Sequence, residues 1–94
     1  MALQTHPLDP ADLIETPGDV LHFLEASFED GTPAEIAKSL GTVARSRGYA
    51  ALAREAGLSR QTLRQAFGEG GNPSLETFLK VIRALGLKLA IHAA

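Results

Sequence analysis

The segment from Tyr49 to Phe67 constrains the fold of this chain more than any other part of the sequence. It reads YAALAREAGLSRQTLRQAF, which predicts two short helices separated by a tight turn at Gly57. Glycine adopts a positive φ angle without penalty, as such a turn requires. Alanine at position 53 lets two crossing helices approach closely, and the positions that must face inward are all apolar: Leu52, Ala53, Ala56, Leu58, Leu63 and Ala66. The segment is therefore expected to form two helices that meet near a right angle.

The outward face of the second predicted helix is polar. Ser59 is expected to cap this helix, because a serine side chain accepts a hydrogen bond from the unpaired N–H groups of a helix N-terminus. The side chains that follow on this face are Arg60, Gln61, Thr62, Arg64 and Gln65. Arginine pairs bidentately with guanine and glutamine with adenine in the major groove, and a helix N-terminus presents N–H groups to phosphate. The pattern favours DNA readout over the alternative of a plain helical bundle with a solvated arginine face.

The rest of the chain carries several helix-start signals and few signals of other structure. Residues 1–8 show no periodicity and are expected to be flexible, and Asp9-Pro10 opens at most one helical turn, through Ile14. Thr16-Pro17 and the capping box Thr32-Pro33-Ala34-Glu35 begin longer helices. The predicted helices are Pro17–Glu29, Pro33–Arg47, Ala50–Ala56, Arg60–Phe67 and Leu75–Leu85.

The C-terminal third is expected to hold a loop, a helix and a short strand. Three glycines and a proline make residues 68–73 a loop. Ser74 should cap the helix that follows, and its apolar stripe is Leu75, Phe78, Leu79, Ile82 and Leu85. Residues 87–92 alternate between apolar and polar side chains, which indicates a β-strand that needs a partner, such as the same strand in a second copy. The predicted fold is an all-α helix bundle in one domain over residues 9–94, with this short C-terminal strand.

Composition and charge narrow the function classes. The chain has 94 residues and no cysteine, and no apolar run approaches the roughly 20 residues of a membrane span. It is therefore expected to be soluble and cytoplasmic, without disulfides or thiolate metal sites. The net charge is −2, but residues 1–42 contain eight acidic residues and one lysine, whereas residues 43–67 contain five arginines and one glutamate. The three histidines lie far apart and no nucleophile–base arrangement is visible, so no metal, cofactor or enzymatic activity is expected.

The Tyr49–Phe67 segment resembles the helix-turn-helix of the lambda-repressor/Cro superfamily. Its continuation over residues 71–87, GNPSLETFLKVIRALGL, strengthens the resemblance, because in that superfamily a loop with Pro-Ser leads into a helix with a similar leucine–glycine close. The upstream segments DGTP (residues 30–33) and LGTVARSRG (residues 40–48) are similar to addiction-module antidote proteins, the HigA-like antitoxins, and this resemblance covers residues 9–92. Tyr49 departs from the pattern, since many relatives carry a phosphate-binding glutamine at that helix start; a phenol can still donate a hydrogen bond there.

The resemblance implies a sequence-specific DNA-binding antitoxin of a type II toxin–antitoxin module, with its helix-turn-helix unit at residues 49–67. Such a protein neutralises a RelE/HigB-type toxin and represses its own operon by binding a palindromic double-stranded operator as a homodimer. Its acidic N-terminal helices or its terminal strand would bind the basic toxin. The expected DNA-binding residues are Arg54, Ser59, Arg60, Gln61, Thr62, Arg64, Gln65 and Ser74. Two alternatives stay open: a stand-alone prophage-type transcriptional repressor, and a protein-interaction module that has lost DNA binding.

Overall fold

The computed structural model describes residues 10–94, which form a bundle of helices. A short 3-10 helix spans Pro10–Leu13, and the five α-helices are α1 (Pro17–Asp30), α2 (Pro33–Arg47), α3 (Tyr49–Ala56), α4 (Arg60–Phe67) and α5 (Leu75–Ala84). All five predicted helices are present, with bounds that differ by at most one residue. The predictions of a flexible segment at residues 1–8 and of a cap at Asp9 lie outside the described residues. No helix in the described part of the chain is both long and apolar enough to cross a membrane.

Two capping boxes fix the starts of α1 and α2. The Thr16 hydroxyl accepts a hydrogen bond from the Asp19 N–H at 3.1 Å, and the Asp19 carboxylate accepts one from the Thr16 N–H at 3.0 Å. Thr32 and Glu35 exchange the same pair of bonds at 3.2 and 3.0 Å. Hydrogen bonds from the Glu15 and Thr16 backbone hold the pKa of Asp19 below its ordinary value, and the Thr32 backbone does the same for the pKa of Glu35.

The core lies around α2, which packs against α1, α3 and α4, while α3 also packs against α5. The largest fully buried side chains come from four of the five helices: Leu40, Val43, Leu52, Leu63 and Val81. The rings of Phe28 and Phe78 stack with centroids 5.9 Å apart and connect α1 to α5. The hydroxyls of Ser27 and Ser39 form a hydrogen bond between α1 and α2. These contacts hold α3 and α4 on a scaffold built from the other three helices.

The predicted C-terminal strand is absent from the structure. Residues 87–94 form neither helix nor strand, and the Leu87 N–H donates to the Ile82 carbonyl at 3.1 Å, which closes the end of α5. A β-ladder needs a second strand to accept and donate its backbone hydrogen bonds. Residues 10–94 contain no such second strand, so the alternating pattern alone cannot produce one.

Leu75 belongs to the predicted apolar stripe of α5 but is not buried. Its side chain is 70% exposed, whereas Ile82 and Leu85 further along the same helix are buried. Leu75 is the first residue of α5 and lines an open groove with Ile36 and Phe78. The helical spacing places it on the correct face, but the core does not extend as far as the first turn of the helix.

Candidate nucleic-acid interface

A left-handed turn at Gly57 joins α3 to α4. Gly57 has φ 72° and ψ 32°, a left-handed backbone conformation that residues other than glycine rarely adopt. The Leu58 N–H donates to the Ala53 carbonyl at 2.8 Å, and the Gly57 N–H donates to the Arg54 carbonyl at 3.3 Å. These bonds satisfy the Ala53 and Arg54 carbonyls near the end of α3, as in a left-handed C-cap. The predicted turn at Gly57 is confirmed.

The N-terminus of α4 is capped as the sequence predicts. The Ser59 hydroxyl accepts a hydrogen bond from the Thr62 N–H at 3.0 Å and donates one to the Thr62 hydroxyl at 2.8 Å. Ser59 has φ −79° and ψ 154°, the extended backbone of an N-cap residue. This cap uses one free N–H of the first helical turn and leaves the others available to an anion.

Buried contacts fix which face of α4 points outward. Leu63 is fully buried and Phe67 is 2% exposed, so one side of the helix is held in the core. Gly41 in α2 faces the end of α4 so closely that an added Cβ would overlap the Phe67 carbonyl oxygen. The backbones of α2 and α4 are therefore in direct contact. Because α4 is held by backbone contact as well as by side chains, its outward face has a defined orientation.

The outward face of α4 carries a shallow, widely open groove that is lined by four polar side chains: Arg60, Gln61, Arg64 and Gln65. All four are exposed. In the part of the chain that the structure describes, neither arginine of this groove pairs with a carboxylate. The helix carries two arginines and no acidic residue. The surface is thus positively charged and supplies both hydrogen-bond donors and acceptors.

Arg64 has a contact that the sequence analysis missed. Its guanidinium lies over the ring of Tyr49, with Cζ 5.1 Å from the ring centroid. Tyr49 is the first residue of α3 and is half-buried against the core. No helical spacing rule relates residues on two different helices, so only the packing of α3 against α4 shows the pair.

The other four predicted site residues do not line this groove. Thr62 is exposed at the start of α4, where its N–H and hydroxyl are both bonded to Ser59. Arg54 is exposed on α3. Ser74 caps α5, accepting a bond from the Thr77 N–H and donating one to the Thr77 hydroxyl, each at 3.1 Å. The structure therefore brings together four of the eight predicted residues and places the other four at the N-termini of α4 and α5 and on α3.

Charge is unevenly distributed over the described helices. α1 carries exposed Glu25, Glu29 and Asp30 and has no lysine or arginine. Arg47 at the end of α2 pairs with Glu55 of α3 at 3.4 Å. Within residues 10–94, no group of three or more histidine, cysteine or acidic side chains is placed to hold a metal ion. Acidic and basic surfaces thus arise from different helices.

Four α-helices hold the short, capped α4 with its two arginines facing outward, and the described residues define a small all-α protein. The chain belongs to the family of probable addiction module antidote proteins, whose model matches residues 4–93. It is also 31% identical over 92 residues to an uncharacterized protein of Haemophilus influenzae, an alignment that covers 98% of this chain and 95% of the relative. No solved structure matches the chain significantly. The resemblance to antidote proteins predicted from the sequence is confirmed.

Proposed function

We propose that this antidote protein is a DNA-binding antitoxin that reads a specific double-stranded sequence through a helix-turn-helix formed by α3, Gly57 and α4. The observation that carries the proposal is the groove on the outward face of α4, lined by Arg60, Gln61, Arg64 and Gln65. The buried side of α4 and its contact with Gly41 support a rigid presentation of this groove. A helix of this size fits the major groove of B-DNA.

The residues of the groove suit base recognition. Arg60 and Arg64 lie one helical turn apart, so both can reach base pairs in one major groove. Arginine donates two hydrogen bonds to the O6 and N7 atoms of guanine, and glutamine pairs similarly with adenine through Gln61 or Gln65. These contacts distinguish one base pair from another, which makes them the source of specificity in the proposal.

Residues outside the lining of the groove suit the phosphate backbone. Arg54 on α3 offers a positive charge, and the first turn of α4 offers backbone N–H groups beside Ser59. Ser74 at the start of α5 presents a second helix N-terminus of the same kind. Phosphate contacts position a protein on DNA without reading its sequence. We therefore assign Arg54, Ser59, Thr62 and Ser74 to positioning.

Operator binding in this proposal involves two copies of the chain. A palindromic operator presents two equal half-sites about 34 Å apart, which two symmetry-related α4 helices can read together. The C-terminal residues support such a dimer, because Ile91 is fully exposed and Leu89 is 44% exposed. Exposed apolar side chains close together favour contact with a second molecule. Sedimentation that shows only monomer at high concentration would argue against the dimer.

The toxin is proposed to bind a surface other than the outward face of α4. An antidote implies a cognate toxin, and the resemblance to HigA-like antitoxins suggests a RelE/HigB-type partner with a basic surface. The exposed acidic side chains of α1 offer complementary charge. A Glu25→Lys/Glu29→Lys variant should then fail to neutralise the toxin encoded beside it but still bind DNA. The absence of a toxin-sized neighbouring reading frame would instead favour a stand-alone repressor.

The test of the proposed function is binding to the DNA directly upstream of this protein's own reading frame. Affinity is measured at two salt concentrations, with a scrambled duplex of equal length as the control. The parental protein should prefer the upstream duplex, and its affinity should fall as salt rises because bound counterions are released. Arg54→Ala should weaken binding to both duplexes and flatten the salt dependence. No binding at low salt would refute the proposal and favour a protein-interaction module.

A further inference from the structure

The cation–π pair of Tyr49 and Arg64 joins a half-buried residue to an exposed one. Tyr49 packs against the core at the start of α3, so its ring has a set position. Arg64 is exposed in α4, and its guanidinium lies 5.1 Å from the centre of that ring. An unrestrained arginine side chain samples many rotamers and loses that freedom when it binds. The ring therefore restricts Arg64 before any ligand arrives.

Stacking and base readout use different parts of the guanidinium. When a guanidinium stacks on an aromatic ring, its flat face meets the ring, whereas its N–H donors lie around its edge. The donors that bond to guanine O6 and N7 are these edge groups. Arg64 can thus stay stacked on Tyr49 while it pairs with a base. Ordering a side chain in its bound conformation strengthens binding, since less rotamer entropy is lost on association.

We propose that Tyr49 is a positioning residue that orders Arg64 for guanine readout and thereby sets how strongly the protein prefers guanine at one position of its site. The inference rests on the proposed DNA-binding function. It also attributes the effect on guanine preference to the ring of Tyr49 rather than to its hydroxyl. A hydroxyl that bonded to phosphate would support binding to all sequences alike, whereas a ring acting through Arg64 affects one base pair.

The test compares three variants on duplexes selected from a randomised library by the parental protein. Arg64→Ala identifies the position at which guanine preference is lost. Tyr49→Leu keeps apolar bulk but removes the ring, and Tyr49→Phe removes only the hydroxyl. A cation–π contact at an exposed site contributes about a two- to five-fold effect. Tyr49→Leu should therefore reduce guanine preference at that one position by this factor, while Tyr49→Phe should retain the parental preference.

A double variant separates positioning from a general structural role. In the Arg64→Ala background, Tyr49→Leu should have no further effect on base preference, because the residue it acts through is gone. Equal guanine preference in Tyr49→Leu and the parent would overturn the inference. The inference would also be overturned if Tyr49→Phe lost as much guanine preference as Tyr49→Leu. The same holds if Tyr49→Leu reduced base preference in the Arg64→Ala background. If the parental protein selects no sequence from the library, the proposed function itself fails.

A measurement on the DNA-free parental protein keeps the inference testable even if Tyr49→Leu does not fold. Protons of the Arg64 side chain over an aromatic ring should resonate upfield of those of exposed Arg60 in an NMR spectrum. Tyr49→Phe should preserve that displacement. Identical shifts for Arg60 and Arg64 would show that the ring contact is absent in solution, which would overturn the inference.

Discussion

Gly41→Ala tests the backbone contact that holds α4 on the scaffold. In an ordinary helix interior this change stabilises by about 1 kcal/mol, since alanine has the higher helix propensity. At position 41, however, the new Cβ would overlap the carbonyl oxygen of Phe67, which is part of the backbone of α4 and cannot rotate away. Overpacking of this kind costs about 1–3 kcal/mol. We expect this cost to cancel or exceed the gain in propensity.

Gly18→Ala is the control for an unobstructed site, because it makes the same substitution in the exposed first turn of α1, where there is space. The nearest heavy atom to an added Cβ at Gly18 is the Thr16 hydroxyl oxygen at 3.7 Å, an ordinary contact distance. The two variants should therefore differ in unfolding free energy by about 1–3 kcal/mol. In a chain of this length each kcal/mol corresponds to about 4–8 °C in melting temperature. Urea and thermal unfolding of both variants measure the difference, and a Gly41→Ala variant as stable as Gly18→Ala would refute the reasoning.

Three further substitutions test the turn, the packing of α3 and a cap. Gly57→Val should lower the unfolding free energy by about 1–3 kcal/mol through its positive φ alone, because nothing lies within 4 Å of an added Cβ; Gly57→Asn should lose less in the same denaturation assay. Ala53→Leu should cost about 1–3 kcal/mol in a buried site, whereas Ala50→Leu on the exposed side should melt like the parent. The pKa of Glu35 is lowered in the folded protein. Its carboxylate therefore stabilises the fold fully above pH 4.5, the ordinary pKa, and this stabilisation is lost as the pH falls through the lowered, folded-state pKa. Glu35→Gln keeps the capping geometry and should therefore show a weaker loss of melting temperature in acid than the parent; an identical pH profile would contradict this.

The helices were predictable because their determinants are local. Thr16, Thr32, Ser59 and Ser74 each precede a helix by one residue, and the structure shows each side chain accepting a bond from the N–H three residues later. The positive φ at Gly57 was predictable for the same reason. A cap or a turn depends on its near neighbours in sequence, so a single chain suffices to identify it.

The features that the sequence did not predict depend on contacts between distant segments. Gly41 sits inside a helical pattern and shows no signal of its closeness to Phe67. A glycine in a helix interior costs stability and therefore hints at close packing, but it does not say against what. The stacking of Arg64 on Tyr49 likewise follows from how α3 and α4 pack. The strand predicted over residues 87–92 is missing for the opposite reason. The local alternating pattern is present, but residues 10–94 contain no second strand to pair with it.

A charge-matched pair of variants tests most directly whether the groove of α4 reads DNA. Arg60→Ala/Arg64→Ala removes two positive charges from the groove, whereas Arg83→Ala/Lys88→Ala removes two from exposed positions at the end of α5 and beyond it. Affinity for the upstream duplex is measured at one salt concentration after thermal melting has shown that both variants fold. Each base-reading arginine accounts for about 1–3 kcal/mol of discrimination, so the groove variant should lose at least tenfold in affinity for the upstream duplex relative to the scrambled one. The control variant should keep the parental preference. Equal preference in the groove variant and the parent would contradict the claim and place the DNA surface elsewhere.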